Sequence, residues 1–163
     1  MSNTISHSKP YSSKEEVLAA VFQIESGMHA SGEKTKEFER KMAQYIGVEY
    51  AKAVNSGTNA LHLALLSLGV GTKDEVIIPS YVCASVLSAV NCTGASAVLT
   101  DIGSDFSEEG YNISIRTIKP LITKKTRAII PVDQVGLPAD LEAIFKIARK
   151  HKLHVIEDAA CAL

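Results

Sequence analysis

The sequence predicts an α/β protein in which helices cover both faces of a mainly parallel sheet, a three-layer α/β/α arrangement. From Tyr50 onward, short apolar runs alternate with segments of helical periodicity, which is the pattern of β-α-β units with right-handed crossovers. The runs are almost continuously apolar, as in Val76-Ile77-Ile78. Strands of this kind are typical of a sheet that is buried on both faces.

Two helices are predicted before the alternating region. The first begins at the capping box Ser13-Lys14-Glu15-Glu16 and ends at Gly27, and the second ends at Gly47. We interpret these helices as a layer beside the sheet or as a contact between subunits. The predicted organisation is an N-terminal helix and link over residues 1–32, followed by the main domain over residues 33–163.

Strands and helices then alternate to the end of the sequence. The predicted strands are Ala51–Val54, Val76–Ile78, Ala97–Thr100, Thr126–Val132 and Val155–Ile156. The predicted helices are Asn59–Leu68, Cys83–Val90, Ile113–Ile122 and one that follows Gly136-Leu137-Pro138. In that last helix the side chains predicted to face the core are Leu141, Ile144, Phe145 and Ala148. An acidic loop is predicted between Gly103 and Gly110.

Composition narrows the class of protein. The 163 residues can bury a substantial core, and a formal net charge of −1 gives no general attraction to nucleic acid or to an acidic membrane. Cys83, Cys92 and Cys161 are odd in number and lack C-x-x-C spacing, so we expect neither a disulfide framework nor a metal site. The polar start, Met1–Tyr11, resembles no secretory signal, and no run approaches the roughly 18 apolar residues of a membrane span. A cytoplasmic setting is therefore expected.

Small polar residues follow the predicted strand Ala51–Val54, at the turn into the next helix. Ser56, Gly57 and Thr58 would place backbone N–H groups and two hydroxyls at a helix N-terminus, an arrangement that binds phosphate. Glycine at the centre lets an anion approach the backbone closely. The same three residues could also form an ordinary N-cap, so the tripeptide alone leaves both interpretations open.

Asp158 comes directly after the final predicted strand. In open α/β sheets, ligands bind outside the carboxyl ends of the strands, so Asp158 is expected to meet one there. Its carboxylate could instead bond the following turn. A phosphate site after one strand and a carboxylate after another would suit a small aromatic cofactor with a phosphate at one end and a basic ring nitrogen at the other. A dinucleotide-binding fold is disfavoured, because residues 55–60 do not supply a G-x-G-x-x-G turn.

The segment Asn55–Leu65 resembles the Ser-Gly-Thr-x-Ala-Leu block of the DegT/DnrJ/StrS sugar aminotransferases. Further blocks match in the same order: Ser31-Gly32 with Phe38-Glu39, Gly47-Val48, Val76–Ser80, Gly136–Asp140 and Val155–Ala160. The resemblance covers about residues 20–163. It implies the fold of the type I enzymes that depend on pyridoxal 5′-phosphate (PLP), with residues 33–163 as a partial PLP-binding large domain.

The resemblance also implies a role for the residues at the predicted edge. Gly57 and Thr58 would bind the PLP phosphate, Ser56 would shape the turn, and Asp158 would pair with the pyridine nitrogen. A carboxylate beside that nitrogen keeps it protonated, so the ring can accept electrons.

Several positions depart from the pattern of the family. Cys83 stands where an aromatic ring often stacks on PLP, with Tyr81 two residues earlier, and Cys161 stands where a His or Gln often contacts the ring. Asp133 and Val135 replace a His and a Tyr before the Gly-x-Pro-Ala-Asp block. Both cysteines are expected to be small, buried apolar side chains without a redox role.

By the resemblance, the lysine that holds PLP as a Schiff base lies beyond Leu163, so the chain is expected to be an N-terminal part that is inactive alone. The implied function is amino transfer to a keto nucleotide-sugar, with glutamate as the expected donor, for polysaccharide or amino-sugar biosynthesis. A homodimer is the implied assembly. The alternative is a truncated, non-catalytic paralogue or remnant that binds PLP or a partner chain.

Overall fold

The structure, a computed structural model, describes residues 10–103 and 110–162. It divides into two compact units, Met1–Ala53 and Val54–Leu163. The division between residues 32 and 33 stays a prediction. The acidic loop predicted between Gly103 and Gly110 lies mainly at positions 104–109, outside the described residues.

The first unit contains the two predicted helices, α1 (Lys14–Glu25) and α2 (Glu33–Ile46). Ser13 caps α1, and both hydrogen bonds of the capping box are present. Gly47 ends α2 in the left-handed conformation, with a φ of 79°, which glycine adopts without steric cost. Helix α1 buries none of its own residues, so its apolar side chains remain on the surface.

The second unit is built around a four-stranded parallel sheet with the strand order β2-β1-β3-β4. The strands are β1 (Glu75–Pro79), β2 (Ser96–Thr100), β3 (Thr126–Ile129) and β4 (His154–Val155). The helices are α3 (Gly57–Ser67), α4 (Ala84–Cys92), α5 (Ile115–Ile118) and α6 (Leu141–His151). The predicted α/β class with a parallel sheet is confirmed.

Each face of the sheet packs against its own apolar cluster. On one face, Val76 and Ile78 lie in a cluster with α3 and α4 side chains such as Leu65 and Val86. On the other face, Ile77 lies in a cluster with Ile118 and with Ile144 of α6. Because successive strand residues point to opposite faces, one short apolar run supplies both clusters. This arrangement is the predicted α/β/α layering.

Three local predictions are wrong. Ala51–Val54 is not a strand, since no other segment of the described chain pairs with it. The predicted helix Ile113–Ile122 is shorter: α5 is followed by a 3₁₀ turn at Lys119–Leu121, where Pro120 removes a backbone donor. Phe145 is 40% exposed, because the inner face of α6 is formed by Ile144, Ile147 and Ala148.

Candidate functional site

The carboxyl ends of the parallel strands define one edge of the sheet. Helix α3 is joined to the start of β1 by the short segment between Ser67 and Glu75, so the helix runs against the direction of the strand. This connection directs the first turn of α3 toward the carboxyl edge. Helix α4 begins shortly after β1 ends, so its first turn also lies at that edge.

The first turn of α3 contains the predicted phosphate-binding residues. Ser56 is the N-cap, and its hydroxyl accepts a hydrogen bond from the Asn59 N–H at 3.2 Å. The N–H groups of Gly57 and Thr58 lie in the part of a helix that has no preceding carbonyl to accept them. A Cβ atom on Gly57 would meet no atom within 4 Å, so the space beside this turn is open. The turn can accept an anion, although Ser56 also acts as an ordinary cap.

Asp158 is held at the end of β4 by the backbone ladder. Its N–H donates to the Pro131 carbonyl at 2.9 Å, and its carbonyl accepts from the Asp133 N–H at 3.0 Å. Ile156 packs against the cluster beneath α3 and α4. By strand alternation, Asp158 lies on that same face. Its carboxylate accepts a hydrogen bond from the Ala160 N–H at 3.2 Å, and a carboxylate with one such bond retains capacity for a further donor.

The structure brings Cys83 and Asp158 close enough to interact electrostatically. Hydrogen bonds from the Ser85 side chain and backbone lower the pKa of the Cys83 thiol, and the negative charge of Asp158 opposes that lowering. Cys83 and Cys161 are both exposed, so the expectation that they are buried apolar side chains is wrong. Residues from the loop after β1 and from the end of β4 thus share one region.

The loop after β1 is also tied to the turn that follows β3. The Gln134 side-chain amide donates to the Tyr81 carbonyl at 2.6 Å. The Tyr81 ring packs at a tilt against Tyr111, with ring centroids 5.7 Å apart. Tyr81 therefore has an aromatic partner within the protein, and this contact was not apparent from the sequence because the two rings are distant in the chain.

The turn after β3 is unusual in its backbone. Val135 has a φ of 50° and Gly136 a φ of 83°, and the first of these is uncommon for a β-branched residue. A Cβ on Gly136 would lie 3.0 Å from the Cys161 carbonyl oxygen. Glycine at this position therefore lets the turn approach the segment that follows Asp158.

Two acidic side chains accompany Asp158. Asp133 is 2% exposed, and its carboxylate accepts a hydrogen bond from the Ala139 N–H at 2.9 Å. Desolvation, followed by a hydrogen bond to Asp133 and the charge of Asp133, raises the pKa of the Glu157 carboxyl. Sequence reasoning noted Asp133 as a departure from the family but did not connect it with Glu157.

A separate cavity of about 350 Å³ lies on the opposite face of the sheet, lined by residues that include Asn112, Ser114 and Asp140. That cavity is lined by neither Thr58 nor Asp158, the two predicted ends of the site. Their common position is supported by the sheet topology and by their shared face. The donor set nevertheless fits PLP: free N–H groups for a phosphate and an acceptor for a ring N–H.

Within the described part of the chain, no group of three or more His, Cys, Asp or Glu side chains is placed to hold a metal ion. The helices of that part are also too short or too polar to cross a membrane.

Comparison with known proteins places these features in a family. The model of the DegT/DnrJ/EryC1/StrS aminotransferase family matches residues 10–163. DesV of S. venezuelae, solved in complex with a ketimine intermediate, is 37% identical, with a TM-score of 0.84 over 91% of this chain and 39% of that chain. The putative sugar aminotransferase Spr1654 from Streptococcus pneumoniae, solved in its PLP form, is 30% identical, with a TM-score of 0.90 over 98% of this chain and 43% of that chain.

A third relative is ntda from Bacillus subtilis, solved with bound cofactor PMP. It is 32% identical, with a TM-score of 0.85 over 91% of this chain and 34% of that chain. The chain therefore spans between about a third and about two-fifths of the length of these relatives. The match over nearly all of its residues shows that the chain belongs to the DegT/DnrJ/EryC1/StrS aminotransferase family.

Proposed function

We propose that the chain supplies two ends of the cofactor site of a PLP-dependent aminotransferase that acts on a keto nucleotide-sugar. Glutamate is the proposed amino donor, and polysaccharide or amino-sugar biosynthesis is the proposed context. The observation that carries the proposal is the close structural match to a sugar aminotransferase solved in its PLP form. The open first turn of α3 and the available carboxylate of Asp158, on the same face of the sheet, support it.

Different residues of this chain would bind different parts of the cofactor. The N–H groups of Gly57 and Thr58 would donate to the phosphate, with the dipole of α3 adding favourable potential. The Thr58 hydroxyl would add a hydrogen bond, and Ser56 would fix the turn through its cap bond to Asn59. PLP, when bound, supplies an electron-accepting ring.

Asp158 would hold a proton on the pyridine nitrogen. An anionic carboxylate beside a basic nitrogen favours the protonated form of that nitrogen. The backbone bonds on both sides of Asp158 would fix the carboxylate in place. Cys83 and Cys161 would lie near the ring as weaker contacts, since both thiols are exposed and Cys83 interacts with Asp158.

Cofactor titration tests the proposal. Thr58→Val should weaken PLP binding about tenfold, the loss expected for roughly one hydrogen bond to a charged group, and should leave the midpoint of unfolding nearly unchanged. In the complete enzyme, Asp158→Asn should fold normally but lose most turnover, because the ring nitrogen would no longer remain protonated. Ser67→Val, in the last turn of α3, is the control for Thr58→Val. If Thr58→Val binds PLP with unchanged affinity, residues 56–58 act only as the N-cap of α3.

A non-catalytic role is the second candidate, favoured by the position of the lysines. Lys73, Lys125 and Lys152 precede β1, β3 and β4, at the amino edge of the sheet. Such a protein would bind PLP or a partner chain without transferring an amino group. A neighbouring reading frame that encodes the lysine segment of this family would favour the catalytic candidate over this one. Covalent fixation of PLP to the chain by borohydride would instead refute the expectation that the chain holds no Schiff-base lysine.

We also propose a homodimer and a cytoplasmic setting. Support for the dimer comes from α1, where Val17, Leu18 and Phe22 are each more than half exposed. An apolar helix surface of this kind is typical of a contact with another protein surface.

A further inference from the structure

Asn112 is a buried residue that ties the turn after β3 to the segment before α5. It is 3% exposed. Its Oδ1 accepts a hydrogen bond from the Gln134 N–H at 3.0 Å, and its Nδ2 donates to the Leu137 carbonyl at 2.8 Å. Its own carbonyl accepts from the Gly103 N–H at 2.9 Å. Because buried polar atoms are costly unless they are hydrogen-bonded, these bonds favour one arrangement of Asn112 and the turn.

The turn that Asn112 holds is bonded to the segments on both sides of it. On one side, the Gln134 side-chain amide donates to the Tyr81 carbonyl, in the loop after β1, at 2.6 Å. On the other side, the Asp133 N–H donates to the Asp158 carbonyl at 3.0 Å. Since β3 lies between β1 and β4 in the sheet, the turn after β3 separates the loop after β1 from the end of β4.

The backbone of this turn depends on contacts from outside it. Val135 has a φ of 50°, a conformation that is disfavoured for a β-branched residue and that persists only where the surrounding structure holds it. The two bonds from Asn112 reach Gln134 and Leu137, on either side of Val135 in the chain. Asn112 is therefore placed to hold the strained part of the turn.

The loop after β1 also has a ring contact with the residue that precedes Asn112. The Tyr81 and Tyr111 rings are 5.7 Å apart between centroids and are tilted against each other. Packing of this kind is compatible with a range of ring positions. A hydrogen bond is more directional, so the bond from Gln134 to the Tyr81 carbonyl is expected to set the position of the loop.

We propose that Asn112 and Gln134 are positioning residues of the candidate cofactor site. Asn112 fixes the turn after β3, and Gln134 extends from that turn to hold the loop after β1. That loop leads to Cys83, whereas the segment on the other side of the turn carries Asp158. The two bonds thus set the distance between the two segments, and with it the width of the site. The part of the inference that concerns PLP rests on the function proposed above.

Amide hydrogen exchange of the purified chain, followed by NMR, tests whether Gln134 holds the loop. The Val86 N–H donates to the Cys83 carbonyl at 3.1 Å, so its exchange reports on opening of the loop after β1. Gln134→Leu keeps a side chain of similar size but removes the donor. Exchange at Val86 should therefore become about tenfold faster, the change expected for the loss of roughly one hydrogen bond.

Asn112→Ala tests whether the turn transmits the position of Asn112 to the loop. Exchange at Val86 should also become faster in this variant, although the two side-chain bonds of Asn112 go to the turn after β3. Faster exchange at Gln134 alone would show that the turn loosens without moving the loop, and would overturn the role of Asn112. Should Asn112→Ala fail to fold, Asn112→Asp keeps an acceptor for the Gln134 N–H and loses only the donor to the Leu137 carbonyl.

Two comparisons separate a local effect from a general loss of stability. The Ile130 N–H donates to the Ile77 carbonyl inside the sheet at 2.9 Å, so its exchange should stay near the wild-type rate in Gln134→Leu. Equal acceleration at Ile130 and Val86 would contradict a positioning role, as would an unchanged rate at Val86.

Gln23→Leu is the matched control for Gln134→Leu. The Gln23 side-chain amide also donates to a backbone carbonyl at 2.6 Å, that of Met28, but it lies in the first unit. Its removal should leave exchange at Val86 unchanged.

The effect on the cofactor is tested with PLP itself. Gln134→Leu should bind PLP about fivefold to tenfold more weakly, and at saturating PLP the visible circular dichroism of the bound cofactor should differ from that of the wild type. A residue that only stabilises the fold would leave that spectrum unchanged, as Gln23→Leu should. Wild-type affinity and spectrum in Gln134→Leu would overturn the positioning role. A wild-type chain that fails to bind PLP would refute the proposed function, whereas exchange at Val86 would still decide whether Gln134 positions the loop.

Discussion

At the scale of single residues, Cys83 reports on the geometry of the candidate site. Its pKa is lowered by hydrogen bonds from Ser85 and raised by the charge of Asp158. The second effect requires that two residues from different loops lie near each other. The thiol is exposed, so a reagent can reach it. Cys83 therefore offers a test of this part of the site that needs no cofactor.

Alkylation rates should respond in opposite directions to the two neighbours of Cys83. Asp158→Asn removes the opposing negative charge, so the Cys83 pKa should fall and iodoacetamide should react faster at pH 7. Ser85→Ala removes the hydrogen bond that lowers the pKa, so the reaction should slow. Because the thiolate is the reactive form, both changes are measurable by mass spectrometry of the labelled peptide. If Asp158→Asn leaves the alkylation rate of Cys83 unchanged, the charge of Asp158 does not act on the Cys83 thiol.

Asp133 and Glu157 also interact in a way that the sequence does not indicate. Asp133 follows β3 and Glu157 follows β4, and the effect of Asp133 on the pKa of Glu157 depends on the pairing of these two strands. The sequence did not indicate this contact, because the residues around each carboxyl group give no sign of which side chain it will face.

At the scale of elements, the turn between β3 and α6 combines tight packing with backbone strain. Val135 lies in the left-handed region although it is β-branched, and it is 75% exposed. Its side chain thus contributes little burial to offset the strain. Gly136 follows with a positive φ and packs closely against the Cys161 carbonyl.

Val135→Asn should stabilise the protein. Asparagine tolerates the left-handed region, whereas other residues are destabilised there by about 1–2 kcal/mol, so the free energy of unfolding should rise by about 1 kcal/mol. Val48→Asn is a suitable control, since Val48 is also exposed and has no positive φ. Urea unfolding at pH 7 measures both. A loss of stability in Val135→Asn would mean that the valine side chain makes a stabilising contact that outweighs the relief of backbone strain.

At the scale of the whole molecule, the second unit buries two apolar clusters while the first leaves much of α1 uncovered. Val17, Leu18 and Phe22 are 55%, 58% and 66% exposed. Such a surface supports the proposed homodimer, and it also suits any other apolar partner. The assembly must therefore be measured.

Phe22→Glu should convert the dimer to a monomer, because a charge would be buried at the contact. Sedimentation velocity of wild type and variant at matched concentrations measures the change. Phe145→Glu, at an exposed position of α6, should leave the dimer unaffected. A wild-type chain that sediments as a monomer at tens of micromolar would remove the homodimer proposal for this chain.

The sequence by itself determined the features that depend on local geometry. Apolar runs and helical spacing predicted the α/β class, the capping box at Ser13 predicted the start of α1, and Gly47 predicted the end of α2. These patterns arise from sterics and hydrogen bonding within a few residues of the chain. The blocks around Ser56–Thr58 and Asp158 likewise indicated the family, because the order and spacing of such blocks are properties of the sequence alone.

The tertiary structure decided the features that depend on pairing between distant segments. It left Ala51–Val54 without a neighbouring strand in the described part of the chain, rotated α6 so that Ile147 rather than Phe145 is buried, and placed Cys83 near Asp158. The physical reason is that strand pairing and burial are set by contacts between residues far apart in sequence, and no local pattern encodes which side chains will meet.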